Sequence, residues 1–510
     1  MNKKRIAINM VAQIISFVIN VGINLVLTPF ITEHVGKEVY GFVNLAFQTT
    51  GYISIITTAL NAMLGRYVTI KISQKDYESA NIYFTSVTLA NIAISFVLII
   101  PSVFFLLFLE KIINIPFAFI LDVKLLWTFI IIGFITNLAY ETYGVSTYAS
   151  NRLDLGAKRG IEGNIIKVVI LVSMFLLLAP KIWYIGLATF LCGVFVLITN
   201  KYYMNKLLPQ MKLDRKYFRW SAVKELVFLG TWNSINQIAQ SLINGMDMIL
   251  TNLYIGAAEM TIMGFAKAMP LYILSLIGIV CNSFAPQLTM IYASGDMDEF
   301  VDKTKQIMNI CGFLCSVPIL GFIAFGTNFF HIWLPTLNVQ EVNMVQILSV
   351  MTLSQTIFDV YIFPLYTVSA ITCKLKVPVL VNLVIGILNI AGTLLLLNTT
   401  NLGVYAIQIV SSTLLCSRVF FFAPLYAAHT LNIKLTTFYP QLFKGMFASS
   451  VILTIYYLIG HAVKINNWFT LIIIMICAGI IGYLINFILI FKNDERKKMI
   501  RLLLNRFSRT

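Results

Sequence analysis

The sequence predicts an all-α polytopic membrane protein of about fourteen transmembrane helices, arranged as two six-helix pseudo-symmetric lobes followed by two C-terminal helices. Three observations carry that expectation. The 510 residues are 59% hydrophobic and only 11% charged, with a mean hydropathy of +0.85, whereas a soluble protein carries about 25% charged residues. Apolar runs long enough to cross a bilayer core, which takes roughly 20 residues per helix, recur along the whole chain. Basic residues are almost confined to alternate connections between those runs, the pattern that fixes membrane orientation.

The runs fall near 7–30, 39–64, 81–109, 125–147, 160–180, 182–203, 226–254, 260–285, 306–330, 343–367, 377–397, 403–427, 439–460 and 468–491. The first opens MNKKRIAINMVAQ, with basic residues ahead of an apolar stretch, as a secretory signal does. That stretch continues to about Phe30, contains Asn9, Gln13, Asn20 and Asn24, and is closed by no small-residue cleavage site, so it reads as a first transmembrane helix. An even count puts both termini on one side. Of the 37 lysines and arginines, 29 sit in or beside the termini and connections of that side. The opposite connections hold only Lys37, Lys111, Lys124, Lys181 and Lys464. The bias places both termini in the cytoplasm. It also accounts for the net charge of +16 without nucleic acid as a partner. Cys311 and Cys315 share a helix face but lack the histidine or further cysteines of a metal site, so no metal or cofactor is expected.

The one long basic connection runs from Lys201 to Lys224. It divides the chain into a first lobe (1–203), a basic cytoplasmic linker (204–224), a second lobe (225–427), and a segment with the last two helices and a basic cytoplasmic tail (428–510). The stretch GINLVLTPFITEHVGKEVYGF (22–42) aligns without a gap on GMDMILTNLYIGAAEMTIMGF (245–265), pairing Gly22 with Gly245, Leu27 with Leu250, Thr28 with Thr251, Gly41 with Gly264 and Phe42 with Phe265. Duplicated units that each cross an even number of times are related by an axis along the membrane normal. The helices that open the two lobes are both polar. Asn9, Gln13, Ser16, Asn20, Asn24 and Thr28 stripe one, and Asn233, Asn236, Gln237, Gln240, Asn244, Asp247 and Thr251 stripe the other. Steps of three and four place each set on one helix face. Interhelical hydrogen bonds average about 0.6 kcal/mol, little set against the cost of such a stripe in lipid. Asn20, Asn24, Gln240 and Asn244 are therefore expected to line a wet central cavity.

Glu141, Lys167, Asp247, Lys267, Asp359 and Arg418 lie inside the spans, where an Asp, Lys or Arg at the centre costs about 2.5–3.5 kcal/mol. A rise of about 1.5 Å per residue puts Asp247 level with Lys267, Asp359 with Arg418 and Glu141 with Lys167. Two readings stay open: structural ion pairs, or a cationic site for an anionic headgroup with carboxylates that release it or carry protons. Arg418, in STLLCSRVFFF, offers a permanently charged planar fork suited to phosphate oxygens. No GxxxxGK[ST], HExxH or GxSxG occurs, so neither nucleotide hydrolysis nor the other enzymatic chemistry of those motifs is expected.

Three local stretches add a resemblance. HVGKEVYGFVNL (34–45) is similar to the turn after the first helix of the bacterial oligosaccharide flippases. NAMLGRY (61–67) resembles their second-helix end, and SFAPQLTMIYASGDMDEF (283–300) the matching segment of their second half. In order and spacing the likeness covers essentially the whole chain. It implies the polysaccharide-transporter branch of the multidrug/oligosaccharidyl-lipid/polysaccharide superfamily. Members move undecaprenyl-pyrophosphate-linked repeat units from the inner to the outer leaflet for O-antigen, capsule or exopolysaccharide assembly. Helices one, two, seven and eight line the family's cavity, and Arg66 takes the place of a cytoplasmic gate residue. The lipid-linked oligosaccharide is then the substrate, H+ or Na+ a coupling ion, and glycan polymerase or glycosyltransferase machinery a partner. Three bases balanced by three acids depart from the more cationic lumens of many relatives. A proton- or sodium-coupled exporter of organic cations with the same fold is the alternative, motivated by Asp247 and Asp359. The last two helices are expected to flank the lobes and receive a lipid tail, and the tail 491–510 to form a basic amphipathic helix or a topology anchor.

Overall fold

The computed structural model describes residues 3–372, 374–491, 493 and 495–497, and every regular element among them is helical. Twelve helices are long and apolar enough to span a bilayer. They are α1 (Val11–Val35 of Lys3–Val35), α3 (Tyr77–Leu107), α4 (Phe117–Ala149), α5 (Leu153–Leu177), α6 (Trp183–Leu207), α8 (Ala257–Ser294), α9 (Met297–Trp333), α10 (Val339–Ile371), α11 (Lys376–Thr399), α12 (Val404–Thr430), α13 (Tyr439–Ala462) and α14 (Trp468–Ile490). A thirteenth, α2 (Lys37–Ser73), qualifies as one rod bent by 63° between Ile55 and Thr57. The fourteenth, α7, runs unbroken over 220–254 and falls outside that set because of the Asn and Gln stripe that marked it in the sequence. The expected helix in the tail lies largely outside the described residues.

The bend in α2 has no proline. Its cause is in GYISIITTALNA (51–62), where Ser54 Oγ donates to the Gly51 carbonyl at 2.7 Å, and Thr57 and Thr58 both donate to the Ser54 carbonyl at 3.1 and 2.9 Å. Hydroxyls that compete for a helix's own carbonyl oxygens bend it.

The chain folds into two compact units. One comprises residues up to Thr261 with Asn382–Ile387, and the other comprises Ile262–Val381 and the chain from Leu388 onward. The first unit thus takes in α7 together with α1–α6. In it α7 lies along α2 on small residues: a Cβ at Gly230 would collide with the Ala59 backbone, and Tyr52 donates its hydroxyl proton to the Gly245 carbonyl. Between them Ser234 Oγ donates to the Ile55 carbonyl at 3.2 Å, at the bend. Tyr83 donating to Glu225 at 2.9 Å secures one end of α7, and a reciprocal clasp of Asn114 with Asn252 secures the other.

The second unit is built around α9, which packs on α10, α13 and α14. Tyr361 of α10 is fully buried, its ring held between Gly312 of α9 and Gly445 of α13, and its hydroxyl is 3.2 Å from Ser449 Oγ. Gly312→Ala puts a methyl into the ring and is expected to cost about 1–3 kcal/mol through overpacking. Tyr361→Phe, which loses only a hydrogen bond, is expected to cost about 1 kcal/mol. Thermal unfolding of the purified protein checks the order; equal melting of both variants would show that the ring is loosely held.

Candidate functional site

Polar residues recur on α2 at Ser54, Thr57, Thr58 and Asn61, ending at Gly65. Spacing of three and four gives them one face, and this face forms a wall of a cavity of about 710 Å³ inside the first unit. The other walls come from α4 (Phe134, Asn137, Tyr140, Glu141, Tyr148) and α6 (Leu197, Asn200). Asn61 sits at the centre. Its Nδ2 donates to Glu141 Oε2 at 2.7 Å while its Oδ1 accepts from Asn91 of α3 at 3.0 Å. Glu141 opens a turn of 3-10 helix at 141–144 that interrupts α4 and faces its carboxylate into the space. The Tyr148 ring lies against Gly65, where a Cβ would sit 3.5 Å from it. Tyr140 and Tyr148 are 38% and 55% exposed. No lysine or arginine lines the cavity among the described residues.

A second polar cluster lies inside the other unit. Tyr366 of α10 donates to Asp359 Oδ1 at 2.6 Å, and the Arg418 guanidinium of α12 stands 5.4 Å from the centre of the Tyr366 ring. The depth match expected for Asp359 and Arg418 therefore corresponds to one cluster, with a tyrosine between them. Arg418 opens a π-helical turn, Arg418–Phe422, whose Phe420 carbonyl accepts from Tyr439 at 2.7 Å. The only other such turn among the described elements is Ser241–Gly245 of α7, which ends two residues before the buried Asp247. Single π-turns inside α-helices are frequent at functional sites.

Glu141 and Lys167 are level but do not meet. The carboxylate takes Asn61, whereas the Lys167 ammonium lies over the Phe47 ring at 5.5 Å. Lys267 is buried in the second unit. The amide stripes bond along their own helices, Asn24 to the Asn20 carbonyl at 2.9 Å and Asn244 to Gln240 at 3.3 Å, and none of the four lines the cavity. Arg66 is exposed, next to Gly65 at the cavity wall. The sequence reading missed Asn61, Asn91, Tyr148 and Tyr366; the Ser54-to-Asn61 periodicity was the available signal for the first. It also placed Arg159 in a connection. The residue is 7% exposed inside α5, with its Nη2 donating to Thr147 at 3.3 Å and its guanidinium over the Tyr203 ring.

No protein-family model matches the chain. It is 27% identical over 509 residues to EpsK, an uncharacterized membrane protein of Bacillus subtilis (strain 168), covering 99% of both chains. Among solved structures it matches the lipid II flippase MurJ in an inward closed conformation, at a TM-score of 0.70 and 15% identity over 94% of this chain and 97% of that one. The chain shares the all-helical fold of that structure. An inward-facing multidrug resistance MATE transporter of the MOP superfamily matches at a TM-score of 0.62 and 12% identity, covering 82% of this chain and 94% of that one. This fold is the one the flippase resemblance led us to expect. With at least twelve helices long and apolar enough to span a bilayer, the protein is a multi-pass membrane protein.

Besides the polar cavity, the chain carries an apolar groove of about 360 Å³ between α9 and α14. Phe322, Phe325 and Phe329 face Trp468, Leu471, Ile472 and Met475 across it, and no charged side chain contributes among the described residues. Gly321 faces Met475 across the groove, where a Cβ would sit 3.5 Å from the Met475 methyl.

Proposed function

We propose that the protein is a flippase that translocates undecaprenyl-pyrophosphate-linked oligosaccharide repeat units from the inner to the outer leaflet, for O-antigen, capsule or exopolysaccharide assembly. The observation that carries this reading is the reach of the structural likeness. It extends over 94% of the chain for the lipid II flippase, against 82% for the MATE transporter. The chemistry agrees with such a substrate. A pyrophosphate cannot cross lipid unaided, and glycan hydroxyls need hydrogen-bond partners on the way. Arg418 is suited to the phosphates, the polar cavity to the sugars, and the apolar groove between α9 and α14 to the isoprenoid chain. An inside-negative potential favours outward movement of an anion by about 2.3 kcal/mol per charge per 100 mV, so H+ or Na+ coupling adds to a drive already present. Both termini are cytoplasmic in this reading, and residues 1–203 and 225–427 alternate in access.

Glu141, facing a cavity that no basic residue lines among the described residues, favours a second reading, a proton- or sodium-coupled exporter of organic cations. One pair of experiments separates the two. On the flippase reading, deletion of the gene leaves lipid-linked repeat units on the cytoplasmic face, and vesicles containing the protein show no ion-driven movement of fluorescent cations. Normal surface glycan without such accumulation, in a strain lacking a redundant flippase, would remove the flippase; cation movement driven by an ion gradient would establish the exporter.

A further inference from the structure

We infer that the cavity of the first unit is a glycan subsite that accepts neutral or amine-bearing sugar rings and rejects phosphate and uronate; the inference rests on the flippase reading and assigns this site its ligand class. Size is the first argument. The cavity holds about 710 Å³, within the range of roughly 300–1,000 Å³ that encloses a small organic molecule. A single water takes about 30 Å³ of liquid, so the space far exceeds what one bare cation needs. Among the described residues no three histidine, cysteine or acidic side chains converge as metal ligands, and Glu141 is the sole ionisable acid or base on the walls apart from tyrosine.

The lining is the second argument. Sugar rings present hydroxyls in close pairs that both donate and accept, above apolar C–H faces. The walls offer the complementary groups: the Glu141 carboxylate fixed by Asn61, the amides of Asn137 and Asn200, and the accessible rings of Tyr140 and Tyr148. The Tyr148 ring packs beside Gly65, stays 55% exposed and offers a ring for stacking.

Charge is the third. A fixed carboxylate with no facing base attracts an ammonium and repels a phosphate or a uronate. The pyrophosphate of a lipid-linked substrate must then sit elsewhere, and this cavity reads only the sugars distal to it.

The test uses the full-length protein in nanodiscs and ligand-observed NMR, which detects weak binding. The probes are soluble di- and trisaccharides of three kinds: neutral (cellobiose, lactose, maltotriose), amine-bearing (chitosan dimer and trimer) and uronate-bearing (galacturonan dimer and trimer). Neutral and amine-bearing sugars are expected to bind, with uronates weaker by about tenfold. Glu141→Gln should erase the discrimination between amine and uronate, and Tyr148→Ala should weaken every sugar by about tenfold at an unchanged melting temperature. Absence of binding by a protein that melts normally would overturn the subsite, as would equal binding of all three kinds. A Glu141→Gln variant that keeps its sugar discrimination but loses a sodium or proton dependence of transport would make the cavity a cation site instead. The two readings fail separately. Translocation of a lipid-linked glycan without sugar binding removes the subsite and leaves the flippase; sugar binding without such translocation does the reverse.

Discussion

Arg418→Ala is expected to lose most transport, about tenfold or more, at normal abundance in the membrane, while Arg418→Lys retains part of it. The guanidinium is charged at any relevant pH and presents a fork that matches phosphate oxygens, which an ammonium only partly reproduces. Its surroundings suggest how binding is coupled to movement. Arg418 lies on the Tyr366 ring and Tyr366 holds Asp359, so on the flippase reading a phosphate would compete for the arginine and loosen the contact between α10 and α12. A structural role predicts a different series. Removing one member of a buried charge pair costs about 3–5 kcal/mol, whereas replacing the pair by apolar groups is often neutral. On that view abundance falls in Arg418→Ala and recovers in Arg418→Ala/Asp359→Ala. Transport of lipid-linked substrate in proteoliposomes, read beside abundance, separates the two. Restoration of transport in the double variant would take Arg418 out of the substrate site.

The second large effect is expected at the seam between α2 and α7. Gly230 faces the Ala59 backbone with no room for a Cβ, so Gly230→Leu cannot close the seam as the wild type does. Overpacking of this kind costs about 1–3 kcal/mol. Applied to a contact that opens during transport, such a cost shifts the balance of open and closed states roughly 5–150-fold. The variant should insert and melt close to the wild type, leave Asn61→Cys more reactive toward a membrane-impermeant maleimide, and transport poorly. A melting temperature that collapses with no gain in reactivity would mark the seam as permanent packing. The Tyr52 contact with Gly245 at the far side of the bend serves as control, since a flexible ring end there accommodates Gly245→Ala more easily than a backbone does.

How much of this was legible in the sequence follows from what each signal measures. Apolar run length marks twelve spans directly and α2 as a bent thirteenth, while α7 is a rod at 220–254 too polar to pass by hydropathy. Rise along a helix gives depth, which brought Asp359 and Arg418 into one cluster. Depth says nothing of azimuth, and so Glu141 and Lys167, equally level, ended on different neighbours, Asn61 and Phe47. The bend in α2 was hidden because it rests on Ser54, Thr57 and Thr58 turning back to their own carbonyls, with no proline to announce it. The cavity was partly hidden for the same reason, since it lies beside that bend and is completed by α4 and α6, whose polar residues are too few to form a stripe. Arg159 escaped because charge was taken as the mark of a connection. Thr147 and Tyr203 supply what allows it to be buried.

The two π-helical turns have a consequence for how this chain tolerates change in length. A π-turn is an α-turn with one extra residue, so deleting one residue from Ser241–Gly245 or Arg418–Phe422 restores regular α-helix. The wide turn has already absorbed the extra residue, so Asp247 and Thr251 beyond the one, and the Ala423–Thr430 segment beyond the other, would keep about the face they present now. The same deletion in a regular stretch of either helix would instead rotate everything beyond it by about 100°. These two turns are therefore the places where α7 and α12 can lose one residue of length and keep their phase.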